Sequence, residues 1–156
     1  MKEVWIDGSG NVIEKILMMN EIQEYVSVGG KVFVGTDSQL KADSCVFVTA
    51  ICLHKDKGRK YSKYFFKRNK IERISHNQLY KRIMKEVQRS IDVSFQIMEK
   101  NPDADIEVHV DVGLTKRSET RKFADSISGW IKSSGFEYKM KPDSWASSSV
   151  ADWHTK

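Results

Sequence analysis

Two carboxylates stand at the ends of strand-like stretches of the sequence. Asp37 follows Val32-Phe33-Val34-Gly35-Thr36, and Asp111 follows the alternating run Ile106 to Val110. A carboxylate beside a buried strand loses hydration, which costs free energy unless a cation meets it. A divalent metal ion is one such cation. The alternative is that both acids are ordinary turn residues, because Asp is common where strands end.

Two further acids can join them from helices. A helix predicted over about 77–100 carries Glu86 at the edge of its apolar stripe, so Glu86 is the helix acid best placed to face a sheet. Glu86 could instead reach water or pair with Arg82 or Arg89. Asp152 is predicted near the start of a short last helix, where the helix dipole favours an acid whatever its function.

The hydrophobic pattern predicts the elements that would position these acids. Residues 1–10 are predicted to be an irregular lead-in, and an accessory helix over about 11–27 ends at Gly29-Gly30. Three strands in an antiparallel meander follow, and then alternating helices and strands, which is an α/β pattern. The predicted strands cover about 31–38, 45–53, 61–66, 106–113 and 136–140, and the predicted later helices cover about 77–100 and 118–134.

The composition is that of an ordinary globular protein of one domain. The chain has 156 residues, 40% hydrophobic and 30% charged. No apolar run approaches the roughly 20 residues that span a membrane, and no signal-like segment opens the chain, so we expect a cytoplasmic protein. Cys45 and Cys52 are predicted to lie on opposite faces of one strand as reduced thiols.

Positive charge is concentrated between His54 and Lys70. This segment holds eight Lys or Arg residues and a single acid, Asp56, whereas the whole chain has a net charge of +5. Such asymmetry is typical of proteins that bind an anionic polymer, although lysines on a solvated hairpin that protects an edge strand would give the same pattern. The candidate nucleic-acid-binding residues are Lys63, Lys67 and Arg68 for phosphates and Tyr61 and Tyr64 for stacking.

Several motifs together resemble the ribonuclease H-like superfamily, and within it the uncharacterised YkuK-type branch. The motifs are Gly35-Thr36-Asp37-Ser38-Gln39, then Arg82-Ile83 with Glu86 and Ser90, then His109-Val110-Asp111-Val112-Gly113 with Thr115-Lys116, and last Lys141-Pro142-Asp143-Ser144-Trp145 continuing to Asp152 with Thr155-Lys156. The likeness spans about residues 30–156. It implies a five-stranded mixed sheet, with the first strand of the meander in the middle, flanked by helices.

The resemblance also implies a function. It assigns catalytic and metal-binding roles to Asp37, Glu86, Asp111 and Asp152, which would hold two Mg²⁺ or Mn²⁺ ions for phosphodiester hydrolysis in RNA, RNA/DNA hybrid or structured DNA. An alternative is a non-catalytic nucleic-acid-binding module on the same fold. A nucleotide-binding or phosphotransfer domain is a third reading, since Gly-Thr-Asp also begins actin-like folds, but the chain lacks a glycine-rich phosphate loop and the length for two lobes.

Overall fold

The computed structural model describes residues 3–54, 63–72, 78–113 and 120–156. These residues form one mixed sheet of seven strands in the order β2-β1-β5-β4-β3-β6-β7. The strands are β1 Trp5–Asp7, β2 Val12–Ile13, β3 Lys31–Leu40, β4 Ser44–His54, β5 Lys63–Glu72, β6 Asp105–Gly113 and β7 Glu137–Lys141. β3 pairs antiparallel with β4 and parallel with β6, so it lies near the middle of the sheet.

Helices pack on both faces of the sheet, with three longer helices on one face and the short C-terminal helical turns on the other. They are α1 Lys15–Ser27, α2 Leu79–Lys100, α3 Ala124–Ser133 after a 3-10 turn at Arg121–Phe123, and α4 Asp152–Thr155 after a π-helical turn at Ala146–Ala151. None of the helices in the described part of the chain is long and apolar enough to cross a membrane.

The N-terminal region differs from the prediction. The sheet has seven strands instead of five, because Trp5–Asp7 of the predicted irregular lead-in and Val12–Ile13 at the start of the predicted helix form the hairpin β1–β2, which pairs with β5 through β1. Trp5 accounts for this addition, since its ring is 1% exposed and belongs to the main core. The predicted accessory helix is present as α1 but begins at Lys15, because Val12 and Ile13 belong to β2.

Side chains of β3 alternate between two cores. Val32 and Val34 point to a large core that they share with residues of α1, α2 and α3. Phe33 packs on the opposite face, where residues of β4 and β5 meet Ala146, Val150 and Ala151. This second face is covered by the C-terminal segment, residues 145–155, which carries Asp152. Cys45 and Cys52 are both buried and form no disulfide, as predicted.

Gly35 lets the C-terminal segment approach the sheet closely. A Cβ atom at this position would lie 2.5 Å from the backbone nitrogen of Ser147, a distance that real Cβ atoms do not tolerate. The glycine of the Gly-Thr-Asp motif therefore provides the space in which the backbone of the last described turn crosses β3. That contact fixes how near Asp152 can come to Asp37.

Candidate active site

Asp37 and Asp111 occupy equivalent places on neighbouring parallel strands. The parallel pairing of β3 with β6 ends with Gly35 opposite His109, and each acid lies two residues further along its strand. Both residues therefore point to the face that carries the C-terminal segment, at the point where the two strands stop pairing. Asp37 and Asp111 therefore lie on adjacent strands and not at opposite edges of the sheet.

All four predicted acids line one open pocket of about 290 Å³. We call it the acid pocket, and its carboxylates come from Asp37, Glu86, Asp111 and Asp152. Strands β3 and β6, helix α2 and helix α4 each supply one acid. Leu79, Ile83, Ser38, Thr120, Arg82 and Lys141 complete the lining.

Asp37 is at the centre of this cluster. Its side chain is 6% exposed, and burial raises its pKa to about 10, with further contributions from the negative charge of Glu86 and from contacts with Asp152 and Asp111. All three of the other pocket acids therefore act on Asp37. The ionised form of Asp37 is strongly disfavoured until a cation compensates the crowded negative charge.

Glu86 faces the sheet, as its position on the helix predicted. Burial raises its pKa to about 8, although the Ser38 hydroxyl, which donates a hydrogen bond of 2.6 Å to Glu86 Oε2, acts in the opposite direction. Arg82 and Arg89, the alternative partners of Glu86, form their hydrogen bonds with other residues. Arg82 donates to the Ser38 oxygen at 3.3 Å, and Arg89 donates to Asn69 at 3.1 Å.

A buried hydroxyl chain connects α2 to the central strands. Thr36 Oγ1 lies 2.7 Å from Ser90 Oγ and 3.0 Å from Thr49 Oγ1, and all three residues are almost fully buried. Together with the Ser38 to Glu86 bond, this chain fixes the rotation of α2 over β3. The sequence marked Ser90 only as part of a motif, because nothing in its spacing shows that its partner is Thr36.

His109 holds the C-terminal segment in place, and neither of its ring nitrogens points at the four acids of the pocket. The backbone N–H of Ala146 donates to His109 Nδ1 at 3.0 Å, so the proton is on Nε2, which donates to Glu107 Oε1 at 2.9 Å. Lys31 Nζ lies 3.1 Å from the same carboxylate, and the hydrogen bond from His109 is the main reason that the pKa of Glu107 falls to about 2. These bonds give His109 a structural role.

Lys141 lines the pocket, although the sequence marked it only as the first residue of a motif. It follows the predicted strand over 136–140 and is in fact the last residue of β7, where it pairs with Gly113 of β6. Its Nζ lies 2.9 Å from Asp111 Oδ1, and it also feels the charges of Asp37 and Glu86. The signal that could have found it is its place directly after a strand, opposite the end of β6.

The oxygen ligands of the pocket fit a hard divalent cation, although they do not already stand in the geometry of a metal site. Carboxylate oxygens are the ligands that Mg²⁺ and Mn²⁺ prefer. Asp111 Oδ1 is buried and, within the described residues, accepts no hydrogen bond of standard geometry, its contact with Lys141 being ionic. In the same part of the chain, no three His, Cys, Asp or Glu side chains already stand in the positions of a metal-binding group.

The predicted nucleic-acid-binding residues are mostly engaged within the fold. Lys67 is 8% exposed, lies 2.7 Å from Glu3 and packs over the Trp5 ring. Lys63 pairs with Glu21. The Tyr64 hydroxyl lies 3.0 Å from His154 Nε2. Arg68 is exposed. Tyr61 lies outside the described residues.

The comparisons with known proteins agree with this architecture. A family model described as ribonuclease H-like matches residues 11–156. The chain belongs to this family. It is also 30% identical over 138 residues to the uncharacterized protein YkuK of Bacillus subtilis (strain 168), an alignment that covers 79% of this chain and 77% of that protein. No solved structure gives a significant match. The family resemblance expected from the motifs is thereby confirmed, including its YkuK-type branch.

Proposed function

We propose that this protein is a metal-dependent nuclease that hydrolyses phosphodiester bonds in RNA, RNA/DNA hybrid or structured DNA. The observation that carries the proposal is the meeting of four carboxylates from four different elements in one pocket of a ribonuclease H-like chain. Burial, with further contributions from the neighbouring acids, raises the pKa of Asp37 to about 10, and a bound divalent cation would favour its ionised form.

Asp37 is the candidate for a ligand shared between two ions, because the other three acids all act on it. Glu86 is held in a single orientation by Ser38, and Asp111 is held beside β3 by the pairing of β6. Asp152 closes the remaining side from a segment anchored through His109. When Mg²⁺ or Mn²⁺ is bound, a pair of ions supplies a nucleophilic hydroxide and stabilises charge on the attacking and leaving oxygens.

Cations of the chain can bind the phosphate backbone near the pocket. Arg82 and Lys141 are part of the pocket lining, and exposed Arg68 lies on β5, in register with Asp37 across the intervening strand β4. Contacts of this kind recognise charge and shape but not sequence. We therefore propose that the substrate is selected by the form of its backbone.

A cleavage panel tests the proposed function. Labelled RNA, DNA, hybrid and branched DNA are incubated with Mg²⁺, Mn²⁺ or EDTA, using wild type, Asp37→Asn and the control Asp103→Asn. Asp103 is exposed in the turn between α2 and β6 and does not line the acid pocket. We expect metal-dependent cleavage of at least one substrate by wild type and by the control, and a loss of at least a thousandfold in Asp37→Asn.

Two results would contradict the proposal. Full activity of Asp37→Asn would remove the assigned residue from the chemistry. Tight nucleic-acid binding with no cleavage of any substrate in either metal would favour the non-catalytic binding module.

A further inference from the structure

The ammonium group of Lys141 contacts Asp111, one of the four carboxylates of the acid pocket. Lys141 Nζ lies 2.9 Å from Asp111 Oδ1, and both side chains keep partial access to solvent, at 47% and 22% exposure. The same ammonium is close enough to Asp37 and Glu86 that their charges raise the pKa of Lys141. One lysine therefore faces three of the four acids of the pocket.

The backbone of Lys141 is held in place by its pairing with β6, whereas its side chain is flexible. Its partner in the sheet is Gly113, two residues after Asp111 on the neighbouring parallel strand. The register of β6 and β7 shifts by two residues between His109 and Gly113, so Lys141 pairs with Gly113 instead of Asp111, and its ammonium contacts Asp111 Oδ1 from that position. Lysine reaches the acid as a compact point charge on a flexible stem, so it can leave the carboxylate without moving the sheet.

The charge balance of the pocket gives this lysine a role. Four carboxylates and the cations Arg82 and Lys141 line the pocket, so its formal charge is −2 when all are ionised. Arg82 is directed to Ser38, whereas Lys141 contacts a predicted metal ligand directly. A divalent ion and Lys141 would compete for the same oxygen.

We infer that Lys141 is a built-in counter-cation of the acid pocket, which holds Asp111 in the metal-free protein and gives it up when a divalent ion binds. This inference rests on the proposed function. It explains how four acids can stay assembled without a metal, and it makes Lys141 a positioning residue that sets metal affinity. Displacing the ammonium costs free energy, so the ion binds more weakly than it would without Lys141.

Metal binding in the absence of nucleic acid tests the inference. The full chain is titrated with Mn²⁺ by calorimetry as wild type, Lys141→Gln and Lys139→Gln. Lys139 is exposed, stands two residues earlier on the same strand, and its loss removes the same charge without touching the pocket. For Lys141→Gln we expect roughly tenfold tighter Mn²⁺ binding, since a unit charge at the edge of a pocket is partly screened.

Thermal unfolding gives a second readout. We expect Lys141→Gln to melt below wild type in EDTA and to gain more in melting temperature on saturation with Mn²⁺, because its acids lack a counter-cation until metal arrives. Lys139→Gln should behave as wild type in both conditions.

The outcomes separate the inference from the proposed function. Wild type that binds no Mn²⁺ and cleaves no substrate overturns the proposed function and the inference with it. Wild type that binds and cleaves, with Mn²⁺ affinity unchanged in Lys141→Gln, overturns the inference alone. Weaker binding in that variant also overturns it, because Lys141 would then brace Asp111 for the metal instead of competing with it.

Discussion

Asp37 and Asp111 lie at the same level of two neighbouring parallel strands, each two residues beyond the last paired position. Where the strands stop pairing, their side chains no longer fill a continuous core and can surround an opening. The opening is the acid pocket. The convergence of residues far apart in the sequence thus follows from the parallel crossover between β3 and β6.

The pH dependence of stability should report the crowded acids. The folded state raises the pKa of Asp37 from 3.8 to about 10 and that of Glu86 from 4.5 to about 8. The folded protein then holds more protons than the unfolded chain, so this stabilising contribution is complete at acid pH and is lost as the pH rises towards these values. We expect the melting temperature in EDTA to fall between pH 7 and 9.

The buried Cys52 thiol, whose pKa is raised by burial, adds a fall of the same sign towards pH 9, so comparison with Asp37→Asn isolates the part that belongs to Asp37. Burial lowers the pKa of His154 below 6.5, which has the opposite sign but is complete by pH 7. Asp37→Asn should show a shallower fall than wild type, and saturating Mg²⁺ should flatten it in wild type. A melting temperature that rises from pH 7 to 9 in EDTA would contradict the assignment.

The close approach at Gly35 predicts a specific steric failure. Gly35→Ala places a Cβ against the backbone at Ala146 and Ser147, so we expect a loss of about 1–3 kcal/mol in the free energy of unfolding. The matched control is Gly129→Ala, which has open space around its Cβ in α3 and should stabilise the protein by about 1 kcal/mol. Urea unfolding measures both, and equal effects of the two substitutions would refute the contact.

His109 should control the mobility of the C-terminal segment. His109→Leu removes the acceptor for the Ala146 N–H and the donor to Glu107, for an expected cost of about 1–3 kcal/mol. Amide hydrogen exchange measured by mass spectrometry should accelerate in a peptide covering residues 145–155. His54→Leu, at the end of β4, serves as the control. Unchanged exchange in His109→Leu would show that the segment is held by its apolar contacts alone.

Ser38 should matter for Glu86 more than for the fold at large. Ser38→Ala leaves a buried carboxylate without its 2.6 Å hydrogen bond, which favours the protonated form of Glu86. We expect Mn²⁺ affinity, measured by calorimetry at pH 7, to fall by about tenfold. The exposed hydroxyl of Ser128 provides the control Ser128→Ala, which should bind as wild type. Tighter binding in Ser38→Ala would exclude Glu86 as a ligand.

Nucleic-acid binding should depend on Arg68 and on salt. Arg68→Gln is expected to weaken binding modestly for every sequence and to reduce the slope of log affinity against log salt by about one, if Arg68 contacts one phosphate. Fluorescence anisotropy measures the affinity at several salt concentrations, with Ca²⁺ in place of Mg²⁺ so that the nucleic acid is bound but not cleaved. Lys67→Gln should instead lower the melting temperature, since Lys67 lies buried against Glu3 and Trp5. An unchanged salt slope in Arg68→Gln would remove this residue from the interface.

Much of the architecture could be predicted from local sequence patterns. Strands β3, β4, β6 and β7 and the long helix α2 were predicted near their observed positions, because their hydrophobic periods are strong. The strand predicted over 61–66 is present as β5 but continues to Glu72, because its polar second half pairs with β4. The hairpin β1–β2 was missed because its two strands are very short and are stabilised by pairing with β5 and by burial of Trp5. Short strands carry too few residues for a period to be visible.

The site was harder to predict because its details depend on partners distant in sequence. The helical position of Glu86 was predictable, but its hydroxyl donor on β3 was not. Lys67 was expected to bind phosphate because charge alone gives no sign of Glu3 above it. Lys141 was marked only as part of a motif for the same reason, since its meaning lies in the register of β7 against β6.

The location of Asp152 in the last described helix has a consequence during translation. A ribosome makes β3 and its acid early, whereas α4 emerges only after the rest of the sheet has been synthesised. The growing polypeptide therefore lacks one of the four acid-pocket carboxylates until α4 has been made. Contacts between such distant parts of a chain also form slowly, which further delays completion of the pocket.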